Sequence, residues 1–256
     1  MPDLHNWVSI QLLDLDVRMQ NVSSRISRAM SNTRNLTLVK PRLEFGTLKL
    51  LKNFTSLSEL HLYQPHTLLS PIEICGSLQY APAIETLTLH LAPSPSDSIA
   101  RATELLPLVY SASSSTQDVR RALPILWNSC PSLLHINLSA AMIDVEELLL
   151  SLPQTIKTVV VSHFGRTEAD SVLRAVKERN LRSRRGKSDF RLMRLYVRHG
   201  WVEEAVRTVK EAFQEIGVVS VIFTYLDGFP FSDDLNAFRR LIGVVDGSQS
   251  NPLELY

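Results

Sequence analysis

The stretch PSLLHINLSA (residues 131–140) sets Leu133, Ile136 and Leu138 at a fixed spacing: apolar, two variable residues, apolar, one variable, apolar. TSLSELHLYQ (55–64) repeats it with Leu57, Leu60 and Leu62, and PAIETLTLHL (82–91) with Ile84, Leu87 and Leu89. Each copy follows a proline or a polar break. The end of the pattern alternates with period two, which predicts a strand that buries one face. Extended along the chain, it predicts strands at 10–16, 34–40, 57–63, 84–90, 133–139, 156–162, 192–198 and 218–224. Their last apolar residues are Leu15, Leu38, Leu62, Leu89, Leu138, Val161, Val197 and Phe223. The successive intervals are 23, 24, 27, 49, 23, 36 and 26 residues. The 49 is close to two periods, and the 36 reads as one period with an insertion.

Between the strands the period changes. Residues 145–152, 167–180 and 202–216 carry apolar side chains three and four apart, which predicts helices. Thr167 with Asp170 resembles a capping box, and Glu203 and Glu204 suit the first turn of a helix. Further helices are expected at about 98–110, 117–128 and 232–245, the last covering the C-terminal edge. Segments 92–98 and 111–119 are rich in Ser, Pro and Ala and read as loops, with the Ser-rich 111–117 exposed. Strand, helix and strand at one period is a β-α unit. Repeated, it gives an α/β fold: a parallel sheet with helices outside, in one domain over 1–256.

This cadence resembles the leucine-rich repeat family over roughly residues 10–245, where repeats run about 20–29 residues. The family places Asn or Cys three residues past the last leucine. Here those positions hold Arg18, Pro41, Pro65, Ala92, Ala141, Phe164, Gly200 and Leu226, so the resemblance is to the irregular, longer-helix repeats. The cadence CPSLLHINL (130–138) is most like the repeat region of fungal F-box proteins. The resemblance implies a curved solenoid that serves as a non-enzymatic protein-binding scaffold, the substrate-recognition part of a ubiquitin-ligase adaptor. The F-box itself is not visible ahead of residue 10. Only Leu4, Trp7 and Val8 precede the first strand, so a poorly covered N-terminal edge is expected. With an F-box upstream, a ubiquitin-ligase linker subunit would be a second partner.

Composition bounds the other classes. A net charge of +1 across 256 residues gives no general drive toward nucleic acid or an anionic membrane. No run of about 18 apolar residues suggests a membrane span, and the N-terminus lacks the pattern of a secretory signal. Two cysteines, Cys75 and Cys130, make no disulfide framework. A cytoplasmic or nuclear protein is expected.

No motif carries evident chemistry, and no cofactor is expected. His61, His90 and His135 sit at variable positions of three strands but are mutually offset, so a solvent-facing row is expected rather than a metal site. The segment RSRRGKS (182–188) ends like a P-loop, but Leu181 stands where the required glycine would be. The basic cluster Arg179, Arg182, Arg184, Arg185, Lys187 and Arg191 is expected to be a solvated loop. No aromatic residue lies between 165 and 189 to stack on bases. Cys130 and Ala81 both read as small buried residues ending a helix, and Trp127 and Trp201 as packing residues. In a solenoid the variable strand positions face the open concave side. They are Asp14 and Asp16; Asn35 and Thr37; Glu59, His61 and Tyr63; Thr86, Thr88 and His90. They continue with His135, Asn137 and Ser139; Thr158, Val160 and Ser162; Arg194, Tyr196 and Arg198; Ser220, Ile222 and Thr224. The partner-binding residues expected on this face are Glu59, His61, Tyr63, His90, His135, Asn137, Arg194, Tyr196 and Arg198. Arg and Tyr are favoured interface anchors. The alternative reading is an enzyme or nucleic-acid-binding module whose site the sequence does not display.

Overall fold

The computed structural model describes residues 9–13, 30–39, 42–43, 48–63, 66–67, 69–90, 116–139, 145–162, 168–183, 190–198 and 201–225. The chain divides into two compact units, Met1–Leu133 and Leu134–Tyr256, taken in turn below.

In the first unit, strands β1 (Ser9–Leu13), β2 (Asn35–Val39), β4 (Glu59–Tyr63) and β6 (Thr86–His90) pair in that order, all parallel. Two-residue strands β3 (Arg42–Leu43) and β5 (His66–Thr67) form a small parallel pair of their own. Helix α1 (Pro71–Ser77) packs on α2 (Thr116–Ser129). In the second unit, β7 (His135–Ser139), β8 (Thr158–Ser162), β9 (Leu192–Arg198) and β10 (Val219–Tyr225) pair in order, again all parallel. Helices α3 (Val145–Ser151), α4 (Ala169–Ser183) and α5 (Glu203–Glu215) intervene, with α3 on α4, α4 on α5 and α5 on β10. The class is α/β with parallel strands, as the sequence predicts. The helix expected at 98–110, the one at 232–245, the Thr167–Asp170 cap and the whole set of Asn-ladder positions fall outside the described residues. So do residues 111–115 of the Ser-rich segment; Thr116 and Gln117 begin α2.

The opening cadence now has a physical cause. The carbonyls of Phe54, Ala81, Cys130 and Pro153 accept the backbone N–H of Leu57, Ile84, Leu133 and Ile156, three residues on. Each is a tight turn whose second position favours proline, and Pro82 and Pro131 occupy it. The residue after the turn opens the apolar triplet. Leu57, Leu60 and Leu62, Ile84, Leu87 and Leu89, Leu133, Ile136 and Leu138, and Ile156, Val159 and Val161 are all buried. Removing any of these leucine side chains to Ala would cost about 2–5 kcal/mol.

A second backbone device joins successive repeats. The Arg34 carbonyl accepts the N–H groups of both Ser58 and Glu59, at 2.9 Å each. The Ser58 carbonyl then accepts from Glu85 and Thr86 at 2.8 and 3.0 Å. The second unit repeats it: Leu134 accepts from Lys157 and Thr158, and Lys157 from Arg191 and Leu192. At these four junctions one carbonyl at the mouth of a strand fixes the start of the next, which satisfies donors that a turn would otherwise leave open.

Three details depart from the sequence reading. Leu12, not Leu15, pairs with Leu38. Leu195, not Val197, pairs with Val161, so the long interval is 34 residues rather than 36. The last strand is reversed in face: Ser220 and Ile222 lie beside Met193 and Leu195, while Val221 lies beside Arg194. A one-residue shift of register exchanges the two faces of a strand. The shift begins at the end of α5. There Gly217, at φ +75°, donates to the Gln214 carbonyl and Val218 to that of Phe213, the Schellman arrangement. Val218 is consumed by this turn, and pairing starts at Val219. A Cβ on Gly217 would meet nothing within 4 Å, so Gly217→Ala tests backbone conformation alone. Urea titration should show a loss of about 1–2 kcal/mol; an unchanged midpoint would mean the left-handed turn is not maintained.

Helix α1 lies where the apolar periods predict none. Ser70 accepts from the Glu73 N–H at 3.3 Å, and Glu73 Oε2 accepts from the Ser70 N–H at 2.8 Å and its hydroxyl at 2.9 Å, with Pro71 in the first turn. This is a full capping box. Chiefly the Ser70 N–H, then its hydroxyl, hold the Glu73 carboxyl below its ordinary 4.5. A lowered folded-state value means that Glu73 contributes stability above pH 4.5, and that this is lost as pH falls through the folded value. Ser70→Ala should cost about 1 kcal/mol at pH 7. In urea melts the gap to wild type should narrow as pH falls below 4.5; a constant gap would show that the bond from the Ser70 hydroxyl to the carboxylate contributes nothing, since the backbone N–H at position 70 donates in both proteins.

Candidate functional site: the polar sheet faces

Strand alternation leaves the strands of each unit one row of side chains that the apolar triplets do not use. In the first unit the register sets Thr37, His61 and Thr88 side by side, and Asn35, Glu59 and Thr86 side by side. His61 Nδ1 and Thr88 Oγ1 are hydrogen-bonded at 2.8 Å. His61 Nε2 lies 3.6 Å from Glu59 Oε2. The Tyr63 ring stacks near the imidazole, with centroids 6.4 Å apart and planes 18° apart. In the second unit His135 Nδ1 and Thr158 Oγ1 bond at 3.1 Å. Asn137 lies beside Val160, and Arg194 on the far side of Val160. The same cross-strand His–Thr pair therefore occurs once in each unit.

The expectation of a solvent-facing histidine row is overturned. His61, Thr88, Asn137 and Thr158 have no exposed surface, and His135 has 3%. Thr37, Thr86 and Val160 are buried as well. Glu59, Tyr63 and Arg194 are half-buried. Alternation separates two faces of a strand but does not say which is wet, and parallel sheets are commonly covered on both. These polar groups tolerate burial because neighbouring strands offer partners at the same level, as Thr88 does for His61. His90, Tyr196 and Arg198 belong to β6 and β9, but their side chains, and Asp14 and Asp16, fall outside the described residues.

Thr88, His61 and Glu59 supply a hydroxyl, an imidazole and a carboxylate in sequence, the components of an activated nucleophile. Neither Thr88 nor His61 has any exposed surface, so no substrate atom reaches the hydroxyl in this state, and the chain of contacts holds Glu59 and two strands in place. Among the described residues no three His, Cys, Asp or Glu side chains gather as a metal site. Cys75 and Cys130 are buried, and burial pushes both thiols up to about 12, helped at Cys75 by the nearby Cys130. Both stay protonated at neutral pH, the opposite of what a nucleophile needs. Cys130 and Ala81 are small buried residues that directly follow a helical segment, as expected, and each opens a tight turn.

The basic cluster is not one surface. Arg179 is buried in α4, where Nη1 donates to the carbonyls of Leu149 and Leu152 at 2.9 and 3.1 Å. Those carbonyls close α3, whose C-terminal end attracts a cation. The guanidinium also lies 5.5 Å from the centroid of the Phe190 ring. A guanidinium at helical spacing from a loop reads as solvated charge, yet its length lets it turn inward. Arg191 is exposed at the mouth of β9. The side chains of Arg182, Arg184, Arg185 and Lys187 fall outside the described residues.

No helix among the described residues is long and apolar enough to cross a membrane. The chain matches no protein-family model, no curated protein and no solved structure.

Proposed function

We propose that this chain is a non-enzymatic protein-binding scaffold built as a leucine-rich-repeat-like solenoid, of the kind that recognises substrates in F-box-type ubiquitin-ligase adaptors. The observation that carries the reading is the sequential parallel strand order within each unit, joined by the repeated carbonyl link at the strand mouths. Parallel crossovers are nearly always right-handed. With no reversal of strand order inside a unit, that rule sends successive helices to the same side, as a solenoid requires and a doubly wound sheet does not. The opposite side is then the binding face. Its reachable anchors are Glu59 and Tyr63 in the first unit and Arg194 in the second, while His61, His135 and Asn137 act beneath them as supports. A cytoplasmic or nuclear location belongs to this reading.

The test is affinity purification of the tagged chain from its native cell, followed by mass spectrometry. A protein recovered at stoichiometric level supports a scaffold, and recovery of a cullin with its linker subunit supports the adaptor. Alanine at Glu59, Tyr63 or Arg194 should weaken the recovered complex by about 1–3 kcal/mol where the residue is an anchor. Arg174→Ala and Lys177→Ala, on the exposed side of α4, should leave it intact. The opposite pattern would place binding on the helices and sink the proposal.

A further inference from the structure

No further inference is drawn: the strongest candidate, the Thr88–His61–Glu59 chain on the β4–β6 face of the first unit, belongs to the site already described, and its hydroxyl and imidazole have no exposed surface through which a ligand could meet them.

Discussion

Phe190→Ala should lower the stability of the second unit by about 3–5 kcal/mol, the usual cost of emptying a phenylalanine site in a core. Phe190 is 2% exposed. Its ring meets Phe213 edge-on, with centroids 6.5 Å apart and planes at 76°, and lies under the Arg179 guanidinium. The ring therefore joins α4, α5 and the entry to β9. Natural domains hold only about 5–15 kcal/mol in all, so the loss is a large share of what the unit has. Phe190→Leu keeps much of the volume and should cost less than about half as much, the difference measuring the ring's own contacts. Urea titration with amide exchange over 134–225 would resolve it. If Phe190→Ala melted within 1 kcal/mol of wild type, the site would have collapsed around the gap and the junction would not be rigid.

Arg179→Ala should cost about 3 kcal/mol. Hydrogen bonds to a charged group contribute about 1.5–3 kcal/mol, and the variant leaves two buried carbonyls at the end of α3 without this donor. Salt should barely change that loss, because Arg179 is buried and buried contacts are poorly screened. Contrast the exposed Arg174–Glu146 pair, at 3.2 Å, whose removal should cost no more than about 1 kcal/mol and should do so only at low salt. Arg179→Lys keeps the charge but loses the forked donor to the two carbonyls and the guanidinium over Phe190, and should fall between wild type and Ala. A double-mutant cycle over Arg179 and Phe190 should show coupling of about 0.5–2 kcal/mol. A salt-sensitive loss at Arg179 would mean that it stands at the surface after all.

The elements of this fold were legible because their periods differ. Strand positions came from apolar triplets such as Leu133, Ile136 and Leu138, and helices from residues three and four apart. Face and exposure were harder. In VVSVIFT (218–224) both alternating sets contain apolar residues, so the pattern alone could not show that Val218 ends a turn and that Ser220 and Ile222 take the Met193 side. His61 and His135 look like surface residues until the neighbouring strand supplies a partner, and that partner is over twenty residues away. Arg179 reads as solvated for the same reason: its acceptors are 27 and 30 residues back along the chain. Helix α1 could have been read from SPIE (70–73), where Ser, Pro and Glu stand at capping-box spacing. It spans seven residues, too few to establish a period.

The shared carbonyl at each strand mouth has a consequence for how such a chain can change over generations. The link from Ser58 to Glu85 and the link from Lys157 to Arg191 have the same form and the same 2.8 Å length, though the segments they close differ in size. Doubling a flexible segment adds only about 0.6 kcal/mol to the cost of closing it. Residues can therefore be gained or lost between links with little penalty, provided the turn and the triplet that follow are kept. Such a lineage can drift in spacing and composition until ancestry no longer shows in an alignment, while the order of its strands stays the same.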